Sequence, residues 1–344
     1  PAEGKPRQIL WRSYSKRAIL AGGATERPIA FENNDRPGIM LSSALGAYAN
    51  RWAATPSHEV AIFTSNDDGH RTARDLHNQG VDITAVIDTR EDAPESADFE
   101  VFPGAVVTNT YGRLGLRKGE FRTNSGKIRS AAAGALGVAG GWNPNVHLTC
   151  HQRGRPVWNE AIAAFVPGKD LPPGMTVTGA ASGTFSTYGA LSGGAQTACE
   201  ALGDLGFKTK VPPLPEAEDR SVEVKPFWHV TGAKRAWLDQ QNDVTVKDVK
   251  LAHQENFAAV EHLNRYTTLG MATDQGKTSN IGGLAIMAEL AGKAIPDVVT
   301  TMFRPPYTPT AIGAFAGRSA GKDFRPTRKT PSHHWAERRG AVFV

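Results

Sequence analysis

The sequence predicts an α/β protein with a dinucleotide-binding βαβ layout, followed by a small helical module. Three observations predict it: short apolar strands that close on glycines, a strand, helix and parallel strand in the first third, and a change to helical periodicity beyond a proline-rich stretch. The 344 residues suffice for two or three domains, and 40% hydrophobic content with 36 Gly and 22 Pro fits an α/β chain with many tight turns.

The formal charge is +5, with acids and bases interleaved, so no nucleic-acid partner is expected. The densest basic run, 318–328 with Arg318, Lys322, Arg325 and Arg328, reads as either a phosphate contact or a solvated tail. Cys150 and Cys199 cannot supply a disulfide framework or a four-thiolate metal site, so no metal is expected and a reducing, cytoplasmic setting is the default. No apolar run approaches the roughly 20 residues that span a bilayer, and no membrane association is expected. Pro1 in place of Met, and the strand-like residues 341–344, read as cut ends.

Residues 17–23 (RAILAGG) predict a short strand ending on Gly22 and Gly23, and Pro28 then turns the chain away. Such an end fits either a cofactor approaching the backbone or an ordinary loop exit. Residues 38–52 carry Ile39, Met40, Leu45 and Tyr48 at helical spacing and predict a helix. A new unit begins at Glu59, with a strand over 60–63, a helix over 70–79 and a strand over 81–87 that ends at Asp88, the layout of a dinucleotide-binding βαβ unit. Its turn reads Thr64-Ser65-Asn66-Asp67-Asp68-Gly69 where close approach to a pyrophosphate wants glycines, and the aspartates would repel phosphates. This unit is expected to have lost its nucleotide.

Strands are predicted over 105–111, 120–123 and 135–141, with a turn at 142–145 and a resumed strand at 146–148. A strand over 175–177 runs through small residues into a helix over 186–202. That junction leaves backbone N–H groups for an anion or a dinucleotide, or else serves close helix–sheet packing. Residues 208–225, with Pro212, Pro213 and Pro215, read as a linker. Helices are predicted beyond it over 246–255, 258–265 and 284–291, the first with Thr245 as N-cap and Asp248 three residues on.

Five stretches now resemble the alpha subunits of heterotetrameric sarcosine oxidases. They are ERPIAF with NDRPG (26–31, 34–38), GGWNP with VHL (140–144, 146–148), QNDVTVKD (241–248), RYTTLGMATDQGK (265–277) and FRPPYTP (303–309). The resemblance implies a flavoprotein-reductase-like fold with two dinucleotide-binding domains. It divides the chain into a first, NAD-binding domain (1–58 and 141–207), an inserted second Rossmann-like domain (59–140), a linker (208–235), a helical module (236–304) and a connector (305–344). It implies a complex with beta, gamma and delta subunits that oxidises sarcosine to glycine, reducing oxygen to hydrogen peroxide and yielding 5,10-methylenetetrahydrofolate or formaldehyde. NAD is expected in this subunit, FAD in the beta subunit, FMN at the alpha–beta interface and tetrahydrofolate in a C-terminal domain beyond Val344.

The first Gly-rich turn is expected before Pro1, so this stretch alone is expected to be inactive and no catalytic residue is assigned. By resemblance the NAD contacts fall on Ala180, Phe185 and Thr187, with Gly22 and Gly23 where the family has Thr-Gly. The helical module resembles a 2Fe-2S-binding domain of related amine dehydrogenases, but Asp239, Gln241, Asp274 and Ser279 stand at the four cysteine positions, which excludes a cluster. Lys277, Thr278 and Ser279 suit a flavin phosphate or ring edge, or else Lys277 pairs with a surface acid. His147 is expected to be a core histidine, the Cys150 and His151 side chains to point to opposite faces of a strand, and His333-His334 to be solvent-exposed. Two rival readings are a related amine or opine dehydrogenase subunit, which predicts the absent cysteines, and a non-catalytic scaffold.

Overall fold

The computed structural model describes residues 7–219, 224–298, 302–317 and 328–343. The described residues of 16–307 form one compact unit, and those of 1–15 and 308–344 form a second. In the smaller unit, Gln8 accepts a hydrogen bond from the Ala311 amide at 2.8 Å, and the short helices Ile312–Ala316 and His333–Arg338 come after it. Of the basic run, 318–327 lie outside the described residues.

A five-stranded parallel sheet organises the larger unit. Its order is Ile39–Leu41, Ala135–Ala139, Glu59–Thr64, Asp82–Asp88 and Val101–Phe102. Alternation along the strands sorts the side chains between two cores. Val60, Ile62, Ile83 and Val86 meet Leu45 of helix Ser42–Trp52 and Leu76 of helix Asp67–Asn78. Ala61, Phe63, Ala85 and Ile87 face Val107, Phe121 and Ala131 of a three-stranded antiparallel sheet, Val106–Tyr111, Lys118–Arg122 and Ile128–Ala132. A sheet covered on both faces needs near-continuous apolar strands, which is why VAIF and AVI read so clearly.

The structure differs from the sequence expectations at four places. The helix expected over 38–52 opens with strand Ile39–Leu41, which pairs with Leu136–Val138, so the sheet begins ahead of the boundary expected at 59. The strand expected at 146–148 is a short helix, His147–Cys150, and strand Ile128–Ala132, mostly exposed, carries too weak an alternation to have been seen. The linker expected over 208–235 is irregular only in its first part. Trp228 and Val230 are hydrogen-bonded across to Ala30, and Val230 is buried in the core, as three apolar residues at 227, 228 and 230 require.

Two smaller pieces complete the unit. Strand Ala18–Leu20 pairs in parallel with Met175–Val177, and the latter is followed across a loop by helix Thr187–Asp204. The helical module packs Val246–Gln254, Val260–Thr267 and Asn280–Ala291 around Val249, Leu263, Leu269 and Met287, with the hairpin Trp237–Asp239 and Val244–Thr245 alongside. Thr245 starts the first of these helices, its amide donating to Asp248 at 2.8 Å as the spacing predicts. Among the described residues no helix is long and apolar enough to cross a membrane.

In the turn after strand Glu59–Thr64, only the last of the three fingerprint glycine positions is kept. A Cβ on Gly69 would stand 2.4 Å from Thr64 Oγ1, so the glycine lets helix and strand approach. A Gly69→Ala substitution gains up to about 1 kcal/mol of helix propensity but overpacks this contact by about 1–3 kcal/mol. The expected outcome in urea denaturation is a net loss of about 1–2 kcal/mol; an unchanged midpoint would show that the contact relaxes freely.

Candidate functional site

The parallel pairing of Leu20 with Val177 brings two strand tips side by side, and five of the expected cofactor contacts gather there. Gly22 and Gly23 leave the first tip. Gly23 has φ +69 with nothing within 4 Å of a Cβ position, and Asn145 ties the loop by donating from its side chain to Gly22 O at 2.8 Å. From the second tip the chain makes a tight turn, Gly179–Ser182, then enters helix Thr187–Asp204 through its N-cap Ser186. Ser186 Oγ accepts from the Gly189 amide at 3.1 Å, and Glu218 O accepts from Tyr188 at 3.1 Å. The amides of Phe185, Ser186 and Thr187 make no hydrogen bond to described residues. Ala180 lies in the turn before them. The tip of a parallel strand beside a helix N-terminus with unpaired amides suits an anionic or dinucleotide group.

The strand tips of the five-stranded sheet are occupied by the sheet's own side chains. Asp88, fully buried, accepts from His70 Nε2 at 2.8 Å and from Arg90 Nη2 at 2.8 Å, and Arg90 also reaches Asp67 at 2.8 Å. Burial pushes the Asp88 carboxyl up, but the His70 and Arg90 hydrogen bonds outweigh it and hold the group below the usual carboxylate range. Asp68 accepts from Trp142 Nε1 at 2.6 Å. The acid that would meet a ribose and the aspartates that would meet phosphates are therefore engaged inside the protein.

Within the larger unit, where the chain passes from the strand tips to the five-stranded sheet, sit Glu26 and Arg27, which sequence reasoning left without a role. Glu26, 2% exposed, accepts from Ser42 Oγ at 2.7 Å and from the Ser43 amide at 2.8 Å, at the start of helix Ser42–Trp52. Burial pushes its carboxyl up to about 7, against the hydrogen bonds from Ser42 and Ser43, and Asp68 adds to the rise. Arg27, 1% exposed, donates to the carbonyls of Gly140 and Ala163, each at 2.7 Å, and to Asn143 Oδ1 at 3.1 Å.

In the helical module one carboxylate gathers the loops. Asp239, 2% exposed, accepts from the amides of Gln241 at 2.9 Å, Asn242 at 3.0 Å and Gly270 at 2.8 Å, and from Ser279 Oγ at 3.4 Å. Two of the four positions compared with cluster cysteines, Asp239 and Ser279, thus touch each other. Gln241 donates to Thr273, and Asp274 accepts from the Gly276 amide at 2.7 Å. Among the described residues no group of His, Cys, Asp and Glu could hold a metal ion.

The expected trio of Lys277, Thr278 and Ser279 is divided. Lys277 Nζ lies 4.2 Å over the Tyr307 ring, Thr278 lines a cavity of about 250 Å³ with Asp239 and Asp274, and Ser279 is buried against Asp239. His147 stacks on Tyr307 at 3.8 Å, and burial with nearby His151 and Lys277 lowers it to about 4, so it is neutral near pH 7. Its Nδ1 is buried with no partner among the described residues, so it is not fully satisfied as a core histidine. Cys150 and His151 lie at the end of a helix rather than on a strand, and Cys150 Sγ donates to Val146 O at 3.4 Å. Burial raises that thiol, which makes it a poor nucleophile. His334 is exposed and sits 3.3 Å from Glu337.

Both buried acids can be tested by substitution. Replacing Asp239 by Ala strands three loop amides and is expected to cost about 3 kcal/mol in chemical denaturation, with Asp239→Asn costing less than half of that. For Glu26, a raised folded-state value means that its contribution is complete below the unfolded value of 4.5 and is lost as pH climbs through about 7. A Glu26→Gln variant is therefore expected to match the parent at pH 4.5 and to exceed it by up to about 3 kcal/mol at pH 8. Parallel stability–pH curves would refute this.

A family model described as the sarcosine oxidase A3 domain matches residues 233–318, which span the helical module and the segment after it. The alpha subunits of sarcosine oxidase from Rhizobium meliloti (strain 1021) and Corynebacterium sp. (strain P-1) are 41% and 38% identical over 353 and 363 residues, covering 100% and 99% of this chain and 35% and 37% of those subunits. The chain thus spans about a third of the length of the curated relatives it matches. In fold it is similar to L-proline dehydrogenase from P. horikoshii, with a TM-score of 0.70 at 19% identity over 88% of this chain and 59% of that one. By sequence along its whole length, the chain belongs to the family of sarcosine oxidase alpha subunits.

Proposed function

We propose that this chain is the NAD-holding and FMN-interface part of a sarcosine oxidase alpha subunit. The observation that carries the reading is the 41% identity along the whole chain, taken with the paired strand tips and their unpaired amides. In this reading the complex oxidises sarcosine to glycine, reduces oxygen to hydrogen peroxide and delivers the methyl carbon as 5,10-methylenetetrahydrofolate or formaldehyde. FAD belongs to the beta subunit, tetrahydrofolate to a further domain of this subunit, and the gamma and delta subunits complete the assembly.

The residues at the strand tips fit the NAD. Gly23 keeps the approach open, Ala180 is small enough for the dinucleotide to pass, and the Phe185, Ser186 and Thr187 amides offer donors to its phosphates. NAD supplies a hydride-carrying nicotinamide when bound; this chain's part is to bind and orient it. For FMN at the subunit boundary, Lys277 supplies the cation and Thr278 a hydroxyl, while Ser279, committed to Asp239, drops out. The second dinucleotide unit holds no nucleotide, because His70, Arg90 and Trp142 take up its acids.

The test is to purify the complete complex, denature it and quantify NAD, free FAD and protein-bound FMN. NAD equimolar with the alpha subunit is expected. Ala180→Glu is expected to lower the NAD content roughly tenfold or more while leaving both flavins unchanged. Absence of NAD from the parent complex, or equal retention by the variant, would overturn the assignment.

A further inference from the structure

The cavity of about 250 Å³ lies between the five-stranded sheet and the helical module. Ile29, Ile39, Leu41 and Val138 wall one side, and the hairpin at 237–241 with the loop at 274–278 walls the other. No Lys, Arg or His lines it, and it carries two carboxylates, Asp239 and Asp274. Thr278 alone of this lining belongs to the FMN reading, and Lys277, the cation of that reading, is not part of it.

The hydrogen bonds already made decide what the lining offers. Asp239 is engaged by the donors of Gln241, Asn242, Gly270 and Ser279. Gln240 directs its Nε2 to Asn34 O at 3.2 Å, and Gln241 directs its Nε2 to Thr273. Their Oε1 atoms make no hydrogen bond to a described residue, nor does the Oδ2 of Asp274, whose Oδ1 accepts from the Gly276 amide at 2.7 Å. The free groups are thus mostly acceptors, and one of them is charged. Against them stands one unpaired donor, the Trp237 indole Nε1, buried and without a partner among the described residues.

We propose that this cavity binds a protonated aliphatic amine bearing a neutral oxygen, a ligand of amino-alcohol size. Its ammonium N–H groups answer Asp274 and the two glutamine carbonyls, its oxygen takes the Trp237 N–H, and its hydrocarbon lies along Ile29, Ile39, Leu41 and Val138. Phe31 and Trp237 add aromatic rings of the kind that attract an organic cation. A flavin phosphate would meet two carboxylates and no cation, so its charge keeps it out of this cavity. A bare metal ion would want oxygens on every side rather than an apolar wall, whereas the volume exceeds the roughly 150 Å³ that holds a benzene ring.

The walls are tied together by hydrogen bonds. Asn34 Nδ2 donates to Trp237 O at 2.8 Å and its Oδ1 accepts from the Trp237 amide at 2.7 Å, which fixes the hairpin to the segment beside the sheet. The bond from Gln241 to Thr273 closes the hairpin on the loop bearing Asp274. Asn280 donates to Gln275 O at 2.9 Å and fills the space that a Cβ would need at Gly270 or Gly276, whose φ of +65 and +68 also favour glycine. The loop bearing Asp274 is therefore held in place rather than free to collapse into the cavity.

The proposal does not rest on the NAD or FMN reading. Calorimetric titration of the complete complex near pH 7 would compare N,N-dimethylethanolamine, which is protonated there, with its uncharged isostere 3-methylbutan-1-ol and with potassium ion. The amine is expected to bind about tenfold or more tightly than either. Asp274→Asn keeps an acceptor for the Gly276 amide and is expected to weaken the amine about tenfold or more, and Trp237→Phe, which removes the indole donor, about threefold or more. The amine-oxidising site of the complex, the other place where an amine would bind, is untouched by either substitution. Both variants are expected to keep the parent's NAD and flavin content, so a failure of those assignments shows in that content and not in the titration. Equal binding of the alcohol, equal or tighter binding of potassium, no binding by any probe, or insensitivity to both substitutions would overturn the proposal.

Discussion

The buried guanidinium of Arg27 is the constraint on which the larger unit depends. The chain leaves the paired strand tips through Ala24–Glu26, builds the five-stranded sheet and returns through Trp142–Pro144. Arg27 stands at that crossing. Its Nε and Nη1 hold the carbonyls of Gly140 and Ala163, so outgoing strand, returning strand and the loop beyond are fixed by one side chain. No carboxylate among the described residues pairs with it, and burial lowers it to about 9, so the cation persists at neutral pH. Carbonyl dipoles and the Trp228 face, 4.6 Å from the guanidinium carbon, supply the compensation that an ion pair would otherwise give. Gly141, whose φ is +108, leaves the room: a Cβ there would lie 2.7 Å from Arg27 Nη2.

A second buried polar centre does the same for the helical module. Asp239 collects the Gln241 and Asn242 amides in the turn of its own hairpin and the Gly270 amide, more than thirty positions away, so the loop before the third helix is fixed by hydrogen bonds as well as by the packing of Leu269. A carboxylate with several donors can be buried where a lone one cannot. The same requirement explains why this loop is rich in Gly, Thr, Asp and Gln. Its glycines let Asn280 close in, and its polar groups answer one another.

These two centres also mark the limit of what the sequence discloses. Apolar runs such as VAIF and periodic helices such as 246–255 are legible because burial leaves a repeating pattern. The strand tips at Gly22 and Gly179 are legible for a related reason, since small residues cluster where a strand gives way to a helix. Arg27, Glu26 and Asp239 leave no such trace, because a charged residue in a linear sequence reads as surface until its long-range partners are known. Strand Ile39–Leu41 was hidden differently: three apolar residues directly before a helix share its periodicity, and only pairing with Leu136–Val138 separates them. In Lys277-Thr278-Ser279, three polar neighbours suggested one site, yet the start of helix Asn280–Ala291 gives each a different environment.

The second dinucleotide unit shows how the two jobs of a nucleotide fingerprint come apart. Glycines at the first two positions serve the ligand, since they admit a pyrophosphate; here they are Thr64 and Asn66, whose side chains bond the turn and Ala139 O. The third serves packing, and Gly69 remains because helix and strand still touch. The acid at the second strand tip serves the ligand as well, but it cannot simply be left behind, because a buried carboxylate without a partner costs several kcal/mol. Asp88 persists with His70 and Arg90 on it, and Arg90 carries on to Asp67. Once these internal partners occupy the ligand's place, the unit is stable without a nucleotide. What the unit offers is a sheet packed on both faces, anchored through Trp142 and Arg27 to the strand tips where the cofactor is proposed to bind.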